Sequence, residues 1–186
     1  MSTIGAKPRE PDRLAIYIDG SNLYHNLKDR FNRTDLDFGK FITILTADRR
    51  LVRAYYYNAR VDQMKEPERY QHQQRFFDRL RDIPYLEVRL RKLIYRKWPN
   101  EAPYEKGVDV HLAIDMVVHS FRGNFDTALW VSGDNDLADA LQAVKDEGHH
   151  AEVALFGSAR SSYTLREVAD RVIPLEKVVD ECWLRE

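Results

Sequence analysis

Three short stretches of this 186-residue chain put carboxylates where they can do chemistry. Asp19-Gly20-Ser21-Asn22 follows the apolar run Leu14–Ile18, Lys106-Gly107-Val108-Asp109-Val110 opens an amphipathic stretch, and Ser132-Gly133-Asp134-Asn135-Asp136 follows the apolar run Ala128–Val131. In open parallel sheets, sites form beyond the carboxyl ends of the strands. Carboxylates gathered there repel one another unless they are protonated or bridged by a cation. An all-oxygen donor set suits a hard, partly hydrated ion such as Mg²⁺ or Mn²⁺. Taken alone, either glycine turn reads first as a helix cap, because Asp, Asn and Ser satisfy free amides at a helix start. Asp109 tips the balance. Advancing about 100° per residue groups it with Leu112, Ala113, Met116 and Val117, at the head of an inward stripe where an unpaired acid is costly. His111, Asp115 and His119, spaced i, i+4 and i+8, could hold a transition metal. The same wheel puts them on the wetter side, so a solvated face is expected, with Asp115 as a secondary partner of the acids.

The elements that must position these acids alternate. Strands are expected at Leu14–Ile18, Leu51–Tyr57, Leu86–Leu93, Ala128–Val131, Ala151–Phe156 and Arg171–Leu175. Helices are expected over residues 22–30, around Phe38, Phe41 and Leu45, over 66–82 and 108–121, after Asp134 to about Lys145, and over 162–169. Leu86–Leu93 alternates apolar and basic residues, as an edge strand does. Strands alternating with helices imply a mostly parallel sheet covered on both faces. The expected organisation is a lead over residues 1–12, one α/β domain over 13–176, and a tail over 177–186. That tail is read as a short helix whose Val178–Cys182 and Val179–Trp183 pairs offer a contact to a second copy or another protein.

Composition narrows the classes. The chain is 44% apolar and 32% charged with a net charge of −1, a globular balance with no all-over basic surface. No run of about 18 apolar residues exists, which argues against a membrane-spanning helix. Cys182 is the single cysteine, so no internal disulfide forms and a reducing, cytoplasmic compartment is expected. Residues 1–59, 60–106 and 107–186 carry +3, +4 and −8. That asymmetry fits either two solvated faces or a phosphate-meeting surface apart from an acidic focus. The densest cations are Arg89, Arg91, Lys92, Arg96 and Lys97, interleaved with Tyr95 and Trp98 and leading through Tyr104 to Lys106. The cations suit phosphates; the aromatics either stack unpaired bases or anchor the proline-containing loop. No phosphate-binding Walker loop, dinucleotide-binding glycine pattern or G-x-S-x-G elbow is present, which disfavours those nucleotide-binding and serine-hydrolase classes.

The three acidic motifs, in this order over residues 13–176, resemble those of NYN-domain proteins, in particular the LabA-like branch of the PIN-like nuclease superfamily. The resemblance implies a three-layer α/β/α sandwich and metal-dependent ribonuclease activity. Carried over by motif, it assigns Asp19, Asp109 and Asp134 as ligands of Mg²⁺ or Mn²⁺, with Asn22 and Asp136 as supporting members of the centre. RNA would be drawn in by Arg89, Arg91, Arg96, Lys97, Trp98 and Lys106. Two other classes stay open: an RNA-binding or regulatory module that keeps the acids without turnover, and a protein-interaction subunit.

Overall fold

The structure, a computed structural model, describes residues 10–157 and 162–184, so most of the expected N-terminal lead lies outside the described residues. Strand β1 (Arg13–Asp19) is buried from its second residue onward. Its side chains alternate between two cores: Leu14, Ile16 and Ile18 enter one, Ala15 and Tyr17 the other. That two-sided burial is why Leu14–Ile18 is apolar without a break.

Around β1 stand β2 (Arg50–Arg60), β3 (Leu86–Lys92), β4 (Thr127–Val131), β5 (His150–Leu155) and β6 (Arg171–Pro174). The order is β3-β2-β1-β4-β5-β6, and every neighbouring pair is parallel. The alternating basic strand β3 is indeed an edge. One face carries α1 (Gly20–Phe31), α2 (Phe38–Thr46), α3 (Pro67–Arg81) and α7 (Leu175–Val179), the other α4 (Val108–Phe121), α5 (Ala138–Asp146) and α6 (Tyr163–Val168). The chain first winds outward through β2 and β3, then returns to place β4 on the other side of β1. The carboxyl ends of β1 and β4 therefore flank the point where the winding reverses, where such sheets open a crevice. Among the described residues, no helix is long and apolar enough to cross a membrane.

Two expectations are corrected. The tail does not present a contact helix: Val178, Val179 and Cys182 are buried in the first core, and Trp183 pairs with Leu36 through an antiparallel bridge. Burial also pushes the Cys182 thiol up to about 11. In α4 the face predicted to be wet turns inward. His119 is 8% exposed, His111 and Asp115 are half-buried, and the solvent instead meets Val110, Ile114, Val118 and Phe121. The cause lies in the sheet, which presents Tyr17, Tyr55, Tyr57 and Arg89 beneath α4. The Tyr57 hydroxyl donates to Asp115 Oδ2 at 2.9 Å, Arg89 pairs with the same oxygen, and Tyr17 Oη lies 2.9 Å from His119 Nδ1. Leu112 and Met116 of the expected inward stripe are fully buried, and the polar residues join them because buried hydroxyls and a guanidinium need polar partners.

Helix α1 starts abruptly at Gly20 because the Asp19 carboxylate accepts the Asn22 N–H at 3.0 Å. A Cβ at position 20 would stand 2.2 Å from Cζ of Tyr56, whose ring is itself buried. Gly20→Ala is expected to cost about 2 kcal/mol, read as a lowered urea midpoint with unchanged slope.

Candidate active site

Three elements deliver the acids to one end of the sheet. Asp19 closes β1, and Asp134 caps the 3-10 turn Asn135–Leu137 that follows β4, accepting the Asp136 N–H at 3.0 Å. Asp109 stands in the first turn of α4, reached through Gly107 in the left-handed region (φ +76°), where glycine is favoured.

Hydrogen bonds stitch the two strand ends together. Asp19 is 5% exposed, and its second oxygen accepts the Ser132 hydroxyl at 3.0 Å. Ser132 Oγ in turn accepts the Asp134 N–H at 3.3 Å. The Asn22 side-chain oxygen accepts the Gly133 N–H at 3.2 Å, so Asn22 clamps the β4 turn onto α1. Asn22 was expected at the centre, but this role was not. Ser132 was missed as a site residue, although its place between an apolar strand and Gly133-Asp134 was a readable signal.

The electrostatics run against the ionised apo centre. Burial pushes the Asp19 carboxyl up to about 6, and Asp109 and Glu105 add to the rise, while the Asn22 N–H and Ser132 hydroxyl oppose it. Asp109 is raised by loss of solvent, then by the charges of Asp134 and Asp136. Glu105 joins this group unforeseen. Desolvation and Asp109 raise its carboxyl, and the Ser21 hydroxyl, His25 and Arg69 pull it down. An acid just ahead of the Lys106-Gly107 turn was its only sequence signal. Carboxylates that burial and mutual repulsion both disfavour form the donor chemistry a hard dication relieves. Among the described residues, no three His, Cys, Asp or Glu side chains converge closely enough to hold an ion as a group. The residues therefore fit an ion that takes fewer carboxylates and keeps part of its water.

The expected basic group divides. Arg89 does not belong with it: it pairs with Asp115 and Glu87 and lies 4.5 Å over the Tyr55 ring. Burial works most strongly against its charge, but the hydrogen bonds to Asp115 and Glu87 and the charges of Tyr57 and Asp115 together outweigh that, and its pKa is raised. Arg91 is exposed near the carboxyl end of the edge strand, and Arg96, Lys97 and Trp98 are exposed on the loop after it. That loop is closed by the Ile94↔Tyr104 bridge, and Lys106 follows it, also exposed. Tyr95 anchors the loop, its hydroxyl donating to Glu66 at 2.7 Å. Trp98 stands edge-on to Tyr95 and remains 37% exposed. Because all strands are parallel, this loop and the acids share one edge of the sheet.

The NYN domain profile matches residues 13–176, from β1 to the start of α7. The chain belongs to the NYN domain family. No curated protein matches it in sequence. A crystal structure of a Vibrio parahaemolyticus protein of unknown function superposes with a TM-score of 0.72 at 20% identity, covering 94% of this chain and 99% of that one. That likeness establishes the shared fold, consistent with a PIN-like architecture. For this NYN chain, family membership supports a nuclease acting on RNA.

Asp19 gives a pH prediction. An acid whose folded-state pKa is raised loses protons first in the unfolded chain. The stability tied to it is therefore full below the ordinary value of 3.8 and is lost as the pH rises through about 6. In chelator, wild-type stability should fall between about pH 4 and pH 6. Asp19→Asn should remove that fall, leaving the variant more stable at pH 7 by on the order of 2 kcal/mol. Thermal melts across the pH range measure it, and added Mn²⁺ should stabilise only wild type.

Proposed function

We propose that this chain hydrolyses RNA phosphodiester bonds at the acid centre, with Mg²⁺ or Mn²⁺ held by carboxylates among Asp19, Asp109 and Asp134. The observation that carries this reading is that these acids and Asp136 come from three separate elements to one end of the sheet, with burial and neighbouring acids opposing the charge of Asp19 and Asp109. A bound divalent ion supplies a water of lowered pKa and positive charge matched to a developing oxyanion. The chain's own residues do the rest. Ser132 and the Asn22 N–H hold the Asp19 carboxylate in one orientation, the Asn22 side chain keeps Asp134 beside it through Gly133, and Gly107 lets Asp109 approach from α4. Asp136, exposed beyond Asp134, is available to a second ion.

Substrate is drawn in along the sheet edge by Arg91, Arg96, Lys97 and Lys106, with Trp98 offering a ring to a base. The three motifs support a place in the LabA-like branch of the family, and the lone buried Cys182 suits the cytoplasm.

A labelled RNA incubated with Mn²⁺ or with chelator tests the reaction. Cleavage should require the ion, and Asp19→Asn and Asp109→Asn should each lower it at least about 100-fold. RNA that binds but stays intact would leave a silent binding module instead. Replacing Arg91, Arg96 and Lys97 together with alanine should lower the slope of log affinity against log salt by about 2. Parallel slopes for mutant and wild type would move the RNA path elsewhere.

A further inference from the structure

Helix α4 turns its apolar ridge to solvent. Val110, Ile114, Val118 and Phe121 are 60, 55, 36 and 66% exposed, and at i, i+4, i+8 and i+11 they form one continuous stripe. Together they expose on the order of 400 Å², the size of patch that marks an interaction surface. We propose that this face pairs with the same face of a second copy, α4 against α4 in antiparallel register.

The stripe is close to palindromic about the point between Asp115 and Met116. About a twofold axis there, Val110 of one copy meets Phe121 of the other, and Ile114 meets Val117 and Val118. No polar side chain interrupts the ridge, so its complement is another apolar ridge, which the same helix provides. Opposed helix dipoles favour the antiparallel direction. Doubled across the axis and widened by Ala113, Val117 and Arg122, the buried surface comes to about 1,200 Å², where specific interfaces begin. The pairing stands whether or not the acid centre is catalytic.

Light scattering or sedimentation of the full chain at tens of micromolar should give twice the chain mass. Ile114→Asp and, separately, Phe121→Asp should each weaken association at least about 30-fold, with the circular dichroism spectrum unchanged. Monomeric wild type at these concentrations overturns the proposal, as does a dimer that both folded variants leave intact. Cysteine cross-linking tests the register, since Cys182 is buried. A mixture of Val110→Cys and Phe121→Cys proteins should cross-link under mild oxidation. Val110→Cys alone should not, because its two copies stand about 16 Å apart along the helices. Self-linking of Val110→Cys would mean parallel pairing and overturn the register.

Discussion

Asp19 sits at the end of a strand from which water has been driven on both faces, and the surrounding architecture answers to the cost of that placement. The carboxylate keeps three compensations: the Asn22 N–H, the Ser132 hydroxyl and whatever positive charge the centre can recruit. The first requires α1 to begin immediately, which in turn requires a glycine at position 20 against the Tyr56 ring. The second requires β4 to end level with β1, and the parallel register that pairs Ile18 with Val131 delivers this. For the third, the charged neighbours Asp109 and Glu105 are themselves acids and oppose the ionisation of Asp19.

The opposite side of the sheet shows how a polar interior redirects a helix. Tyr17, Tyr55, Tyr57 and Arg89 form a layer that is buried yet rich in donors, and α4 answers with Asp115, His111 and His119. Burial lowers the pKa of both imidazoles, so they stay neutral, leaving Asp115 as the counter-ion of Arg89. This arrangement fixes how α4 is rotated. It brings Asp109 toward the other acids at one end and leaves Val110, Ile114, Val118 and Phe121 facing outward along the rest.

Parallel topology explains why the cationic loop and the acids can serve one ligand. Every strand ends at the same edge, so the segment after β3 and the turns after β1 and β4 face the same way although β2 separates β3 from β1. Electrostatic attraction at the rim and carboxylate chemistry at the crevice are thereby kept apart. Cations placed among the acids would compete with a metal ion, whereas cations on the loop can meet phosphates without neutralising the centre.

Local sequence was enough for much of this. Unbroken apolar runs identify β1 and β4 as strands buried on both faces, the glycine-bearing acidic turns mark their ends, and the alternation of strands and helices leads to a sheet with two covered faces. Those signals are short-range: each depends on a few residues whose backbone preference and hydrophobicity agree. The polar part of the buried face of α4 could not be read in this way. The wheel sends Leu112 and Met116 inward, as the structure does, but only the paired strands reveal the tyrosines and Arg89 that draw His111, Asp115 and His119 in beside them. Arg89 looked like a free cation for the same reason, since its partner Asp115 is 26 residues away and meets it only when α4 packs on the sheet. Glu105 and the clamp from Asn22 to Gly133 were equally hidden. The types and order of the acids were written in the chain, but which charges face one another is settled by long-range packing, because electrostatic partners are chosen by distance in space rather than along the sequence.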